Sequence, residues 1–247
     1  MRNVAVVQQR LPSLRPEPIA FAHRGASANA PENTIAAFRL ALEMGATGLE
    51  SDVWATKDGH AVLDHDGTVR RLVRTLTFDK VDRDELPRHV PSFVELVETV
   101  GAAYDLSLDI KSRTAVACLA AAVRTVGFPV DRLWLCSPSL EVLEECGRAI
   151  EGANLVHSTR LDRIDGTLER HVAALAGAGI GTLNMHHTDW NGGRATLCHR
   201  FGIHAFGWDL QYEEPMRAAV RMGLDGVYSD RVDMMMSVVR AETGGAH

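Results

Sequence analysis

IAFAHRGASANAPENTIAAFRLALEMGATGLESDVW, residues 19–54, reads as strand, helix, strand. The apolar run 19–24 suits a buried strand, and 48–54 returns to strand character. Between them, over 33–44, Ile35, Phe38, Ala41 and Leu42 fall on one helical face, with Asn33 placed to cap the start and Gly45 the end. A helix joining two strands implies that the strands run parallel through a crossover. Outward from this unit the alternation repeats, with strands expected at 105–110, 133–137, 155–158, 180–185, 203–209 and 225–229. A second clear helix, 113–126, carries Val116, Leu119, Val123 and Val126 as its stripe, with Gly127 beyond it. Eight such strands predict an α/β chain folded as a closed (β/α)8 TIM barrel.

One segment departs from the alternation. Only a few residues separate Val53 from Val62, and they include Lys57-Asp58-Gly59, a hairpin turn signal. The run HAVLDHD, residues 60–66, is therefore expected to return antiparallel, as a β-hairpin at the carboxyl-terminal mouth after the second strand. Residues 67–90 are charged and poorly periodic and read as a short insertion over that mouth. Residues 1–18 carry Pro12, Pro16 and Pro18 without periodicity, which suggests a loose arm before one barrel domain over 19–247.

Bulk properties exclude several classes. The chain of 247 residues is 46% hydrophobic and 23% charged, ordinary for a globular protein. Its net charge of −6 and lack of a basic stripe argue against nucleic acid as a partner. The apolar runs fall well short of the roughly 20 residues that span a bilayer, so no transmembrane segment is expected. Gln8, Gln9 and Arg10 interrupt the place where an export signal would need a continuous apolar stretch. Cys118, Cys136, Cys146 and Cys198 have no paired spacing, which suits reduced thiols and a cytoplasmic location. Nothing in the pattern specifies an oligomeric state.

Four short groups each close a strand-like run: His23-Arg24-Gly25, Glu50-x-Asp52, His65-Asp66 and Asp109-x-Lys111. In a barrel of this kind the chemistry sits at the carboxyl ends of the strands. Glu50 and Asp52, two apart, share one face, and Asp109 closes the third strand in the same way. Three carboxylates without a cysteine or clustered-histidine set make a hard oxygen site that suits Mg²⁺ or Ca²⁺ better than zinc. Taken alone, Glu50 and Asp52 are better explained as two exposed strand-end acids. Imidazoles titrate near neutrality, so a pair can share base and acid roles. Arg24 offers paired donors for phosphate oxygens, and Glu32 is placed either to pair with Arg24 or to support the metal shell. Lys111 shares the face of Asp109 and reads either as a second phosphate cation or as an exposed strand end.

The ordered set HRG, PENT, AF, GA, ExDV, TKDG and HD, all within residues 23–66, resembles the glycerophosphodiester phosphodiesterase family. The likeness continues more weakly through LSLDIKS (106–112), LCSPSLEVL (135–143), GWDL (207–210) and GLDGVYSD (223–230). That resemblance implies a metal-dependent enzyme acting on small-molecule glycerophosphodiesters and releasing sn-glycerol 3-phosphate and an alcohol. His23 and His65 stand where the family has its catalytic histidines. Glu50, Asp52 and Asp109 would hold the divalent cation, with Mn²⁺ a third option beside Mg²⁺ and Ca²⁺. Arg24 and Lys111 would bind phosphate, and Trp208 would lie beside the alcohol.

The chain also departs from the family's pattern. Trp208-Asp209-Leu210-Gln211 replaces a WTVN motif, so Asp209 and Gln211 stand for Thr and Asn. Asp109 occupies a position that is Glu in many relatives. Ser137 matches the Ser of an SF motif whose Phe is here Pro138, and it reads as structural. Met234, Met235 and Met236 read as helix packing. His157, His186, His187 and His204, near later strands, read as bystanders. The insertion is shorter than is usual in the family, which favours a second substrate class, lysophospholipids and other lipid phosphodiesters. A non-catalytic phosphate-ester binding protein is a further alternative, marked by loss of a histidine or metal carboxylate, and none is lost. A barrel glycosidase is disfavoured, because carboxylates two residues apart on one strand flank a sugar ring poorly.

Overall fold

The computed structural model describes residues 10–71 and 74–244. Strand β1 (Ile19–Ala22) is followed by helix α1 (Ile35–Glu43), β2 (Gly48–Ala55), β3 (Ala61–Leu63), β4 (Thr68–Arg71), β5 (Arg74–Thr77) and α2 (Phe93–Val100). A regular succession comes next: β6 (Asp105–Ile110), α3 (Thr114–Val126), β7 (Leu133–Ser137), α4 (Leu140–Ala149), β8 (Asn154–Thr159) and α5 (Leu168–Gly177). The chain ends with β9 (Thr182–His186), α6 (Gly192–Arg200), β10 (His204–Trp208), α7 (Glu213–Arg221), β11 (Gly226–Ser229) and α8 (Val232–Thr243). Strands β1, β2, β6, β7, β8, β9, β10 and β11 pair in parallel, and β1 closes the ring by pairing with both β2 and β11. The expected eight-stranded barrel is the observed fold.

Alternation along each strand divides the apolar residues into two cores. Ile19, Phe21, Trp134, Cys136, Val156, Phe206 and Tyr228 form one buried cluster inside the barrel. Their sequence neighbours Ala20, Ala22, Leu133, Leu135, Leu155, Ala205 and Val227 belong to a second cluster shared with the surrounding helices. Phe21 stacks on Tyr228 at 4.7 Å between ring centroids and lies 5.7 Å from Phe206. That aromatic plug leaves no room at Gly48, where a Cβ would come within 2.5 Å of the Phe21 ring. Further along the same inward rows the residue types turn polar, at His23, Asp52, Asp109, Ser158, His186 and Asp230. The plug is therefore the floor of a polar mouth.

Helix α1 begins one residue later than expected. Thr34 is its N-cap, its Oγ1 accepting from the Ala37 N–H, while Asn33 takes a left-handed conformation with φ of 54°. Asn tolerates that region because its short side chain finds local partners. Here Asn33 Oδ1 is turned inward and accepts from the Ser51 hydroxyl at 2.7 Å. Helix α3 matches its expected span closely and ends on Gly127 with φ of 65°.

The hairpin is present: β3 runs antiparallel to β2 with Val53 opposite Leu63 and Ala55 opposite Ala61. The insertion is more ordered than its charge pattern suggested. It contains the antiparallel pair β4 and β5, and Val62, Phe78, Leu86 and Val90 form a small buried cluster against Trp54. Residues 10–18 run against the opposite end of the barrel. There the buried Asp225 carboxylate accepts from the N–H groups of Leu14 and Arg15 and from that of Ala205, and it pairs with His199 at 2.8 Å.

His157, on the outward row of β8, is 6% exposed; its ring lies 3.1 Å from that of His171 and 3.3 Å from the Pro138 carbonyl. Burial, reinforced by His171, lowers its pKa from 6.5 to about 4. Between those values the unfolded chain binds a proton that the folded chain refuses. The contribution is therefore complete above pH 6.5 and lost as pH falls towards 4, by at most about 3 kcal/mol. Urea titrations of the unaltered protein and His157→Leu at about pH 7.5 and about pH 4.5 should show their stabilities converging at the lower pH.

Candidate active site

The turn after β1 carries His23 and Arg24 to the barrel axis. His23 continues the strand, its N–H donating to the Ser229 carbonyl at 3.0 Å. The chain then reverses through two left-handed residues, Arg24 with φ of 54° and Gly25 with φ of 81°. At Gly25 a Cβ would approach Ala37 to 2.7 Å, so neither the conformation nor the space admits a side chain. This reversal points the Arg24 N–H at the Glu50 carboxylate, which accepts it at 2.9 Å.

His23 sits between two acids from neighbouring strands. Its Nδ1 lies 2.6 Å from Asp230 Oδ1, and its Nε2 lies 3.8 Å from Glu50 Oε2. Burial would lower the imidazole's pKa, but Glu50 and Asp230 outweigh it and raise the value to about 9. Asp230 is itself braced. Ser27 Oγ is 3.0 Å from the same oxygen, and the Asp230 N–H donates to Gln211 Oε1 at 3.1 Å. Asp230 stands in the stretch GLDGVYSD quoted for the resemblance, yet its role was not read from sequence. Its position immediately after the last strand was the available signal. Gln211, noted only as a departure from the pattern, positions Asp230.

Glu50 and Asp52 come from β2, Asp109 from β6, and the register sets Asp52 beside Asp109. Asp52 is almost fully buried, with Lys111 Nζ 2.7 Å from one oxygen and Arg24 Nε 3.6 Å from the other. Lys111 also reaches Asp109 at 3.4 Å, and Arg24 binds both oxygens of Glu32 at 3.0 and 3.2 Å. Of the two sequence-stated options for Glu32, pairing with Arg24 is the one observed. Burial raises the pKa of Glu50, opposed by His23 and reinforced by Asp52 and Asp109. Asp109 is raised in the same way by burial, with Lys111 opposing.

His65 follows β3 on a loop held by Asp64, whose Oδ1 accepts from the N–H groups of Asp66 and Gly67. Its Nδ1 lies 2.8 Å from Asp66, leaving the ring half exposed towards the mouth. One cavity of about 340 Å³ is lined by His23, Arg24, Glu50, Asp52, His65, Asp109, Lys111 and Trp208. That volume suits a small molecule. Every residue expected from sequence to form the site lines this cavity except Glu32, which contacts it through Arg24. Ser107, Cys136, Ser158, Asn184, Asp209, Gln211 and Tyr228, not expected from sequence as site residues, complete the wall. All but Asp209 and Gln211, which follow β10, occupy inward strand positions whose chemistry is unremarked until the ring closes.

A divalent cation fits the acids chemically. Asp52 Oδ2 is buried without a hydrogen-bond partner, and Asp52 raises the pKa of both Glu50 and Asp109 by repulsion that a cation would relieve. Their present partners are the cations Lys111, Arg24 and His23. Among the described residues, the three side chains whose potential ligand atoms lie within 4.8 Å of one another are instead His186, His187 and Asp209.

Residues 23–234 match the model of the Glycerophosphoryl diester phosphodiesterase family. A glycerophosphodiester phosphodiesterase of Caldanaerobacter subterraneus subsp. tengcongensis is 26% identical over 246 residues, covering 90% of this chain and 98% of the relative. The crystal structure of a glycerophosphodiester phosphodiesterase from Thermotoga maritima is 26% identical, with a TM-score of 0.77 over 90% of this chain and 98% of that one. An Oleispira antarctica phosphodiesterase, solved with the product sn-glycerol-3-phosphate, is 22% identical with a TM-score of 0.79, over 90% and 97% of the two chains.

Gly25→Ala should destabilise the fold by about 1–3 kcal/mol or more, because it adds strain at a positive φ to a clash with Ala37. Calorimetric unfolding checks this, and an unchanged Tm would show that the turn is not constrained as described.

Proposed function

Because the chain belongs to the glycerophosphoryl diester phosphodiesterase family and is an enzyme of that class, we propose that it hydrolyses glycerophosphodiesters to sn-glycerol 3-phosphate and an alcohol by histidine acid–base catalysis. The observation that carries this is His23, clamped between Asp230 and Glu50, in one cavity with Arg24, Lys111 and His65.

In this reading Arg24 and Lys111 donate to the non-bridging phosphate oxygens, exchanging part of their contact with Asp52 for contact with substrate. Asp230 holds His23 Nδ1 and so presents Nε2 to the reacting oxygens, an orienting role like that of the third member of a catalytic triad. One imidazole takes the proton from the attacking oxygen and the other delivers a proton to the departing alkoxide. The attacking oxygen is either the adjacent glycerol hydroxyl, giving a cyclic phosphate that water then opens, or water itself. Glu50, Asp52 and Asp109 would hold the divalent cation, Mg²⁺, Ca²⁺ or Mn²⁺, which would polarise a phosphate oxygen. Trp208 borders the cavity where the alcohol would lie. Cytoplasmic location belongs to the same proposal; four unpaired cysteines support it. Among the described residues no helix is long and apolar enough to cross a membrane.

Release of sn-glycerol 3-phosphate from a panel of glycerophosphodiesters and lysolipids, after chelation and with each cation restored in turn, tests the substrate class. His23→Ala and His65→Ala should each lower kcat by at least about 100-fold. Unaltered rates in the double variant would overturn the assignment. Asp230→Asn, which keeps a hydrogen bond but removes the charge, should lower kcat with little change in KM; a change confined to KM would contradict the orienting role.

A further inference from the structure

We propose that His186, His187 and Asp209 form a site for one borderline divalent cation of the zinc type, at the outer edge of the cavity and separate from the carboxylates of β2 and β6. The potential ligand atoms of these three residues all lie within 4.8 Å of one another. His186 Nε2 is 3.0 Å from Asp209 Oδ2, close to the spacing of two ligands on one tetrahedral ion.

The surroundings of His186 suit ligation. Its Nδ1 accepts the Thr188 N–H at 3.3 Å and lies 2.7 Å from the Thr188 hydroxyl; with an ion bound, the hydroxyl would instead accept an Nδ1 proton. That tautomer leaves Nε2 free to bind the ion, the arrangement found behind metal-bound imidazoles generally. The Trp208 ring packs edge-on against His186 at 4.6 Å and fixes its plane. The His187 ring is 4.5 Å from that of His186, and among the described residues no hydrogen bond holds it. Among the described residues Asp209 is one of three non-glycine residues with positive φ, at 63°, so the backbone turns its carboxylate back towards the strand end that carries His186.

Donor chemistry names the ion. Two imidazoles and one carboxylate suit Zn²⁺, Co²⁺ or Ni²⁺, whereas Mg²⁺ and Ca²⁺ favour all-oxygen sets such as Glu50, Asp52 and Asp109. Arg160, 6.0 Å from the Trp208 ring, is already paired with both oxygens of Asp189. Three protein ligands leave a tetrahedral ion one open position. Asp209 also lines the cavity, so a filled site would turn this part of the wall from negative to positive and favour alcohols bearing oxygen donors.

The test reads metal directly and does not depend on turnover. Chelator-stripped protein is dialysed against Zn²⁺ and analysed for bound metal, with Co²⁺ as a coloured substitute. His187→Ala and Asp209→Asn should each weaken Zn²⁺ binding by at least about tenfold, and Asp52→Asn should leave this site unchanged. Equal Zn²⁺ affinity in the unaltered protein, His187→Ala and Asp209→Asn would overturn the proposal, as would no Zn²⁺ uptake at all. Crystals of the unaltered protein grown with Zn²⁺ require no variant. An anomalous peak at the zinc edge between His186 Nε2 and Asp209 supports the site, and its absence there, or a peak only at Glu50 and Asp52, overturns it.

Discussion

Closure of the barrel at β1 is the constraint on which the rest depends. Phe21 pairs in register with Gly48 on one side, and Ala22 with Ser229 on the other. Because side chains alternate, that register sends His23 to the axis between Glu50 and Asp230. A slip of one residue would turn His23 towards the helices and bring Ala22 inward. The aromatic plug around Phe21 guards against such a slip, since Gly48 alone leaves room for the ring. The same contacts therefore close the fold and set the geometry of the mouth.

Above the plug the barrel concentrates charge where burial makes charge costly. Glu50 and Asp52 are almost fully buried, and an unpaired buried carboxylate would be strongly destabilising. The solution is a chain of partners drawn from four strands: Asp230 with His23, His23 and the Arg24 N–H with Glu50, and Lys111 with Asp52 and Asp109. Some atoms stay unsatisfied, Asp52 Oδ2 and Arg24 Nε among them. Among the described residues, positive φ outside glycine is found at the same rim, at Arg24, Asn33 and Asp209. Strain and orphaned polar atoms in one place are what a binding site retains at the expense of stability.

How much was legible in sequence follows from how local each determinant is. Strand positions were readable because period and turn residues are local, and 105–110 and 133–137 match their observed spans. The hairpin at Lys57-Asp58-Gly59 was readable for the same reason. Asn33 misled as a cap because its partner, Ser51, is on the next strand. The insertion misled as well, for its charged surface concealed Phe78, Leu86 and Val90, which form a core only against Val62 of β3. Asp230 and Gln211 went unassigned because their roles come into being when the last strand meets the first.

From its residues alone, then, the chain determined its period, its strand count, the hairpin, and the identities of His23, Arg24, Glu50, Asp52, His65, Asp109 and Lys111 as strand-end groups. These are properties of short stretches, and short stretches carry their own patterning. Tertiary structure decided who partners whom: Asp230 with His23, Lys111 with Asp52, Glu32 with Arg24, and His186 with Asp209. Such pairings join residues as many as 207 positions apart. Distances between side chains on different strands exist only once the ring has closed.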